Sequence, residues 1–524
     1  MVTRTIPALL RRAVDQVPDK TWLLTTDGRL TYAEAFGRVT AAAAWLSAHG
    51  VRRRDRVVVT ARNTADYVMA WLAVVELGAV AVAVNPAGTA DETTALVRQV
   101  SPRLVVSDGD ALQTLAGDSD DSPAGPGPTV VEVGALFDEP DDAPGVPAGA
   151  DGTGRGAVSP DDVAVMIPTS GTSGRSKLVM QTHRSYVLGG EGFPYWMGLG
   201  ADDRLLTALP LFHVNAQVYS VLGSLAARAS LAILEDFSAR GFLDAARRFD
   251  ATEFNAIGAM LEILMRQPER PDDADNPLRI CYTGPSPSRR RHVQIEERFG
   301  IEIVCGYGLS ETPYGLIWPH GTRPYGTLGA PRQHPELGHM NDARVTDDGR
   351  PVADGEVGEL ELRNDAVMVG YYEMPQETAA VMVDGWLRTG DLVRVNGDGT
   401  YTFVGRRKQV IRRRGENLSP LEVEEVLESH EAVAEAAVIG VPSELSEQDV
   451  KAFVVGVPDR RLDLTELHRH AAARLARFKV PRYYETVASL PHTPTGRLAS
   501  HQLPETRTAE EIDMESFDTA EDNP

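Results

Sequence analysis

The sequence predicts an α/β protein: a large N-terminal domain of stacked βαβ layers, an antiparallel β subdomain within it, and a small α/β C-terminal domain. Three observations predict it. From about residue 30 to residue 304, short apolar runs alternate with helical patterns, as buried parallel strands joined by crossover helices do. From about Gly326 the runs alternate apolar with polar and are punctuated by Asp-Gly and Asn-Gly pairs, which favour tight hairpins. Beyond Gly405-Arg406-Arg407-Lys408, the capping box Ser419-Pro420-Leu421-Glu422 opens a compact segment of helices and strands. The expected domains are 1–405, with a flexible insertion at 116–160 and the β subdomain at about 326–405, then 406–504, then a disordered acidic tail at 505–524.

In chain order, Thr31 caps a helix within 30–49. Arg56 to Thr60 is a strand, Ala65 to Leu77 a helix ended by Gly78, and Ala79 to Val84 a second strand; 92–99 and 104–107 continue the alternation. The insertion is rich in Gly, Pro, Asp and Ser, with only 129–137 a candidate for order. Strands are expected at 163–167, 178–180, 205–209, 231–234, 251–257, 278–282 and 301–304, with a helix near 217–227. In the C-terminal segment a helix runs from Ser419 to about Glu428, strands cover 436–441 and 452–457, and a helix covers 464–475.

A chain of 524 residues is too long for one core. Its 42% hydrophobic and 24% charged residues are ordinary for a globular protein. The net charge of −23 argues against a nucleic-acid partner, since phosphate backbones call for basic surfaces. A small anion in a local basic pocket stays open. Two cysteines, Cys281 and Cys305, suit a reducing compartment rather than a disulfide framework or zinc site. The N-terminus lacks the apolar core of a signal peptide, and the longest apolar stretch, Val68 to Val84, is broken by Glu76 and Gly78. A cytoplasmic protein without a membrane span is expected.

The stretch Thr169-Ser170-Gly171-Thr172-Ser173-Gly174-Arg175-Ser176-Lys177 follows a strand and has the chemistry of a phosphate grip. Glycines bring backbone N–H groups close to phosphate oxygens, hydroxyls add donors, and Lys177 adds a cation. It lacks the Walker A spacing. The residues alone fit a polar turn between two strands equally well.

Further segments follow in fixed order: Leu209-Pro210-Leu211-Phe212-His213, Tyr282-Thr283-Gly284, Gly306-Tyr307-Gly308-Leu309-Ser310-Glu311, Thr389-Gly390-Asp391, Gly405-Arg406 and Pro494-Thr495-Gly496-Arg497. With these the chain resembles the adenylate-forming superfamily of acyl-CoA synthetases, peptide-synthetase adenylation domains and luciferases, over about residues 20 to 503. Between 205 and 440 it is most similar to carnitine- and crotonobetaine-CoA-ligase-like proteins. The resemblance implies that ATP binds at Thr169, Ser170, Gly171, Thr172, Ser173, Gly174, Lys177, Gly284, Tyr307, Asp391 and Arg406. It implies adenine stacking for Tyr307, ribose contact for Asp391, and Mg²⁺ at Glu311, a hard oxygen ligand beside phosphate. His213, Asn255, Thr283, Gly306, Gly308 and Thr312 are candidates for the substrate side, and Arg497, Lys177 and His213 for catalysis. The implied reaction adenylates an acid, releases pyrophosphate and transfers the acyl group to CoA with AMP leaving; the C-terminal domain rotates about a hinge at Lys408. A homodimer is entertained.

One position departs from the pattern. The family carries lysine after the C-terminal Thr-Gly, where this chain has Arg497, and the basic residue often found three positions on is Ser500. An arginine keeps the charge but is longer, planar and forked. Three alternatives stay open: Arg497 does the lysine's work; the acid is unusual, for instance nitrite passed to an arylamine by a diazotase; or the protein only binds nucleotide. For the second, Asn255, Thr283, Ser310 and Thr312 would supply polar groups, with Tyr219, Tyr314 and Ile317 as walls.

Overall fold

The computed structural model describes residues 3–109, 128–137, 157–169, 176–284, 286–319, 321–407, 411–413, 416–443, 448–458, 460–492 and 498–514. The chain divides into two compact units, one of residues 1–343 with 362–388, the other of residues 344–361 with 389–524.

The first unit is α/β, as expected. One nine-stranded sheet runs in the order 330–331, 312–317, 302–309, 280–283, 253–255, 204–207, 230–233, 21–24, 29–31, and its central strands are parallel. A seven-stranded sheet runs 370–371, 177–182, 163–169, 80–83, 56–60, 104–107, 129–132. Its parallel strands are buried along nearly their whole length, which is why they read as unbroken Val and Ala runs. The helix Ala65–Glu76 is buried from Tyr67 to Val75, so it is apolar all round rather than striped. Thr31 caps Tyr32–Ala48 as expected, and Glu34 makes the cap reciprocal: Glu34 N–H donates to Thr31 Oγ1 at 3.2 Å, and Thr31 N–H to Glu34 Oε2 at 2.7 Å.

Two local expectations change. The strand Val163–Thr169 continues through Pro168, because Lys177 and Leu178 pair with Thr169 and Pro168 across the hairpin. The helix near 217–227 is a π-helix over Asn215–Leu222 that passes into an α-helix over Gly223–Ala227.

In the second unit Asp347 pairs with Arg350 around Asp348-Gly349, whose positive φ values of 45° and 79° are those of a tight hairpin. A four-stranded sheet runs Val433–Pro442, Gln448–Gly456, Tyr483–Thr486, Ile512–Asp513. Ser419 precedes the helix Pro420–Glu428 but does not cap it; its hydroxyl donates to Val404 O instead. The acidic segment expected to be disordered is ordered over 505–514. Lys451 is fully buried with its Nζ 2.8 Å from both Glu485 Oε2 and Glu511 Oε2, and Arg482 pairs with Asp513 at 2.9 Å. A buried ammonium demands such partners, so Glu511 is drawn into the fold. Residues 515–524, and most of the 116–160 insertion, lie outside the described residues. Within the insertion, Thr129–Glu132 is a strand and Val133–Phe137 a 3₁₀ turn.

Candidate functional site

In the first unit, the hairpin of Val163–Thr169 and Lys177–Thr182 presents both ends of the candidate phosphate loop side by side. Thr169 and Lys177 are register partners, and Thr169 Oγ1 donates to Lys177 O at 3.3 Å. The strand Gly370–Tyr371 adds to the edge of this hairpin, Tyr371 opposite Val179. Gly370 has φ +151°, and a Cβ there would stand 2.7 Å from Thr378 Cγ2, so glycine is required at the step before Tyr371. Tyr371 carries the Lys177 ammonium over its ring, 4.6 Å from the centroid, and donates its hydroxyl to Glu311 Oε1 at 2.7 Å. Met368 N–H also donates to Glu311 O at 2.8 Å. Burial first, then the neighbouring Glu311 charge, raise the Tyr371 pKa, so the phenol stays a donor. Gln181, fully buried, donates from Nε2 to Ser310 O at 2.6 Å and fixes the turn that carries Glu311. Lys177 and Glu311 thereby end on one tyrosine, with Thr169 beside Lys177 across the hairpin.

A second group lies where the parallel strands of the large sheet end. Gly284 and Gly306 belong to neighbouring strand ends; a Cβ on Gly284 would stand 2.4 Å from Gly306 O. A Cβ on Gly308 would stand 3.0 Å from Tyr219 Oη. Tyr307, between the two glycines and half-buried, sits opposite Leu316 across the antiparallel pair, next to a bulge. Tyr219 and Ser220 belong to the π-helix, and Asn255 Nδ2 donates to Ser220 Oγ at 3.0 Å. The same helix starts beside His213, whose carbonyl accepts from Gln217 N–H at 3.2 Å. Gln217 is locked by Tyr186 Oη and Leu211 O, both at 2.9 Å. Gly308, Asn255 and His213 thus border one π-helix, an element often found at functional sites. Asn255 Oδ1 and Thr283 Oγ1 are buried with no hydrogen-bond partner among the described residues. Thr312 is buried; its hydroxyl donates to Asn364 Oδ1 at 3.3 Å and accepts from Tyr314 N–H at 3.2 Å.

Sequence reasoning missed Arg332. It is fully buried and has no carboxylate partner among the described residues. Its donors reach Leu316 O at 3.0 Å, Pro313 O at 2.8 Å, Tyr219 Oη at 2.6 Å and Tyr282 Oη at 2.5 Å. Its guanidinium lies over Trp196, Tyr219 and Tyr282. A Cβ on Gly306 would stand 2.7 Å from the Tyr282 ring and 3.0 Å from Arg332 Nη2, so this cluster backs the glycine strand. Tyr219, expected as a pocket wall, is spent on it, and Tyr314 packs edge-on against Trp196. No sequence signal marks Arg332, because its partners come from several strands and helices.

In the second unit Asp391 and Arg406 are strand partners, and Arg406 Nε lies 3.0 Å from Asp391 Oδ1. Asp391 is buried, its N–H donating to Thr389 Oγ1 at 3.1 Å, while Arg406 is exposed. Ser170, Gly171, Thr172, Ser173, Gly174, Lys408 and Arg497 lie outside the described residues. A cleft of about 530 Å³ lined by Met265, Arg270, Asp273, Arg291 and Arg298 contains none of the candidate residues. No group of three or more His, Cys, Asp or Glu among the described residues could hold a metal, so a cation at Glu311 would need ligands from phosphate. No helix among them is long and apolar enough to cross a membrane.

The chain is similar to known proteins over most of its length. The AMP-binding enzyme family profile matches residues 10–372, and that of the AMP-binding enzyme C-terminal domain matches 422–497. The crotonobetaine/carnitine–CoA ligase of Salmonella paratyphi B is 29% identical over 470 residues, covering 87% of this chain and 89% of the relative. ATP-bound MatB from Rhodopseudomonas palustris superposes with a TM-score of 0.83 at 26% identity, covering 94% and 97% of the two chains. The o-succinylbenzoate CoA synthetase MenE of Bacillus subtilis, in complex with its acyl-adenylate intermediate, gives 0.83 at 25% identity, covering 95% and 98%.

Proposed function

We infer the function from one premise: the chain belongs to the AMP-binding enzyme family. It is an adenylate-forming ligase of the acyl-CoA ligase group, and it binds ATP and AMP. The alternatives of a nitrite-activating diazotase and of a nucleotide-binding scaffold find no support: the matched relatives are CoA ligases, and the MenE complex holds an acyl-adenylate.

The acid is a carboxylate and the acceptor is CoA. One carboxylate oxygen attacks the α-phosphorus of ATP, the bond to the bridging oxygen breaks, and pyrophosphate leaves. The CoA thiolate then attacks the acyl carbon and AMP departs. The protein supplies position and charge rather than covalent chemistry. Lys177 and the hydroxyls and N–H groups of 169–174 hold the β- and γ-phosphates. Bound Mg²⁺ would neutralise phosphate charge, and Glu311 fits it: a carboxylate with a neutral donor on one oxygen and no ion-pair partner among the described residues. Tyr307 stacks on adenine, Asp391 and Arg406 take the ribose, and His213, Asn255, Thr283, Gly284, Gly306 and Gly308 border the acid. Arg497 brings the adenylation cation, and Lys408 is the hinge between 1–405 and 406–504. Two buried free cysteines and the use of ATP favour the cytoplasm.

The carrying observation is that Lys177 and Glu311, distant in sequence, meet at Tyr371, with Thr169 beside Lys177 across the hairpin. A panel of carboxylates assayed for pyrophosphate release, with and without CoA, tests the reading. Acid-dependent pyrophosphate release with CoA-dependent thioester formation is expected. Failure across aliphatic, betaine-like and aromatic acids would refute it.

A further inference from the structure

Lys177 and Glu311 carry opposite charges and end on the same side chain, yet among the described residues neither is in an ion pair. Had they paired directly, each would have spent its charge on the other before any nucleotide arrived. Tyr371 engages both without neutralising either. Its ring face attracts the ammonium through the aromatic quadrupole, an attraction weaker than a phosphate can offer. Its hydroxyl satisfies one carboxylate oxygen as a neutral donor and leaves the carboxylate its negative charge. The placement is rigid: Tyr371 is 6% exposed, its N–H donates to Thr378 Oγ1 at 2.9 Å, and the flanking residues bond to the hairpin through Val369 N–H to Met180 O and Tyr372 N–H to Leu178 O, both 2.9 Å.

We propose that Tyr371 is a positioning residue for Mg·ATP, holding the Lys177 ammonium and the Glu311 carboxylate aimed but un-neutralised until phosphate and metal take them over. The proposal rests on the phosphate and metal roles read for Lys177 and Glu311 above. On binding, the ammonium leaves the ring for phosphate oxygen, and the phenol keeps Glu311 oriented toward the cation. No residue of the chain is oxidised or covalently changed.

Calorimetric titration of the full chain with ATP, in EDTA and in excess Mg²⁺ and without any acid, separates the two contacts and needs no turnover. Tyr371→Phe keeps the ring and removes the donor. It should bind metal-free ATP like wild type and lose about tenfold of the affinity gained on adding Mg²⁺, the usual weight of one hydrogen bond to a charged group. Tyr371→Leu removes the ring as well, and should also weaken metal-free ATP by about two- to fivefold. Glu311→Gln should abolish the Mg²⁺ gain. If Tyr371→Phe retains the full gain while Glu311→Gln loses it, the proposal falls and the metal role of Glu311 stands. If Glu311→Gln retains the gain, the metal role falls and the proposal with it, leaving the CoA-ligase reading untouched. Equal melting temperatures for Tyr371→Phe and wild type tie the losses to the site.

Discussion

Replacing Arg332 by methionine should destabilise the first unit, and the structure sets the scale. Four acceptors lose a charged donor: Leu316 O, Pro313 O, Tyr219 Oη and Tyr282 Oη. Pro313 O keeps the Tyr219 hydroxyl at 2.6 Å, so Leu316 O and Tyr282 Oη bear most of the loss. Two buried groups left short cost about 1–3 kcal/mol each. Three ring contacts are lost as well, each about 0.5–2 kcal/mol. Against this, a buried charge without a carboxylate is removed, which returns several kcal/mol. The balance is a net loss of about 2–4 kcal/mol, read as a fall of about 5 °C or more in the thermal midpoint followed by circular dichroism. Arg332→Lys is the discriminating companion. It retains the buried charge but loses the planar fork, so it should melt at or below the methionine variant. If Arg332→Met melts at or above wild type, charge desolvation outweighs the fork, and the cluster is not what supports the glycine strand.

Other expectations follow from single contacts. Gly284→Ala places a Cβ 2.4 Å from the Gly306 carbonyl oxygen, which cannot swing away, so ATP affinity should fall by about tenfold or more in a fluorescence titration while the far-ultraviolet spectrum is retained. Gln181→Leu leaves the Ser310 carbonyl without its 2.6 Å donor; a cost of about 1–3 kcal/mol and a raised KM for ATP are expected from melting and steady-state assays. Burial, partly opposed by Asp162, lowers the His183 pKa from 6.5 to about 4, so the native state holds it neutral. Its contribution is complete above pH 6.5 and is lost as pH falls toward about 4, about 3 kcal/mol in all. Glutamine at 183 should flatten the melting profile across that window. Truncation after residue 504 removes Glu511 and Asp513 from Lys451 and Arg482, and should lower the melting transition of the C-terminal unit by several degrees.

The parallel strands were legible because burial on both faces leaves mainly Val, Ala and Leu, and the Thr31 cap because a hydroxyl residue stands just ahead of a run rich in Ala. The order of the motifs made the nucleotide chemistry legible. What escaped was non-local. Tyr371 meets Glu311 across 60 residues, and Arg332 meets Tyr219 across 113; neither spacing has a local periodicity. Residues 505–514 read as disordered because composition registers their acidity but not the buried Lys451 that requires it. Ser419 reads as a helix cap, yet its hydroxyl reaches a carbonyl fifteen residues upstream.

The π-helix has a consequence for protein engineering. Each π turn holds about one residue more than an α turn, so Asn215–Leu222 stores a surplus within a single element. Deleting one residue there would return the segment to α geometry with the flanking turns near their register, whereas in a plain α-helix the same deletion would turn the flank by about 100°. A library of single-residue deletions and insertions across 215–222 would therefore vary the packing of Tyr219 and Ser220 with little turn of His213, and a changed acid preference in it would tie the π-helix to the proposed acid site.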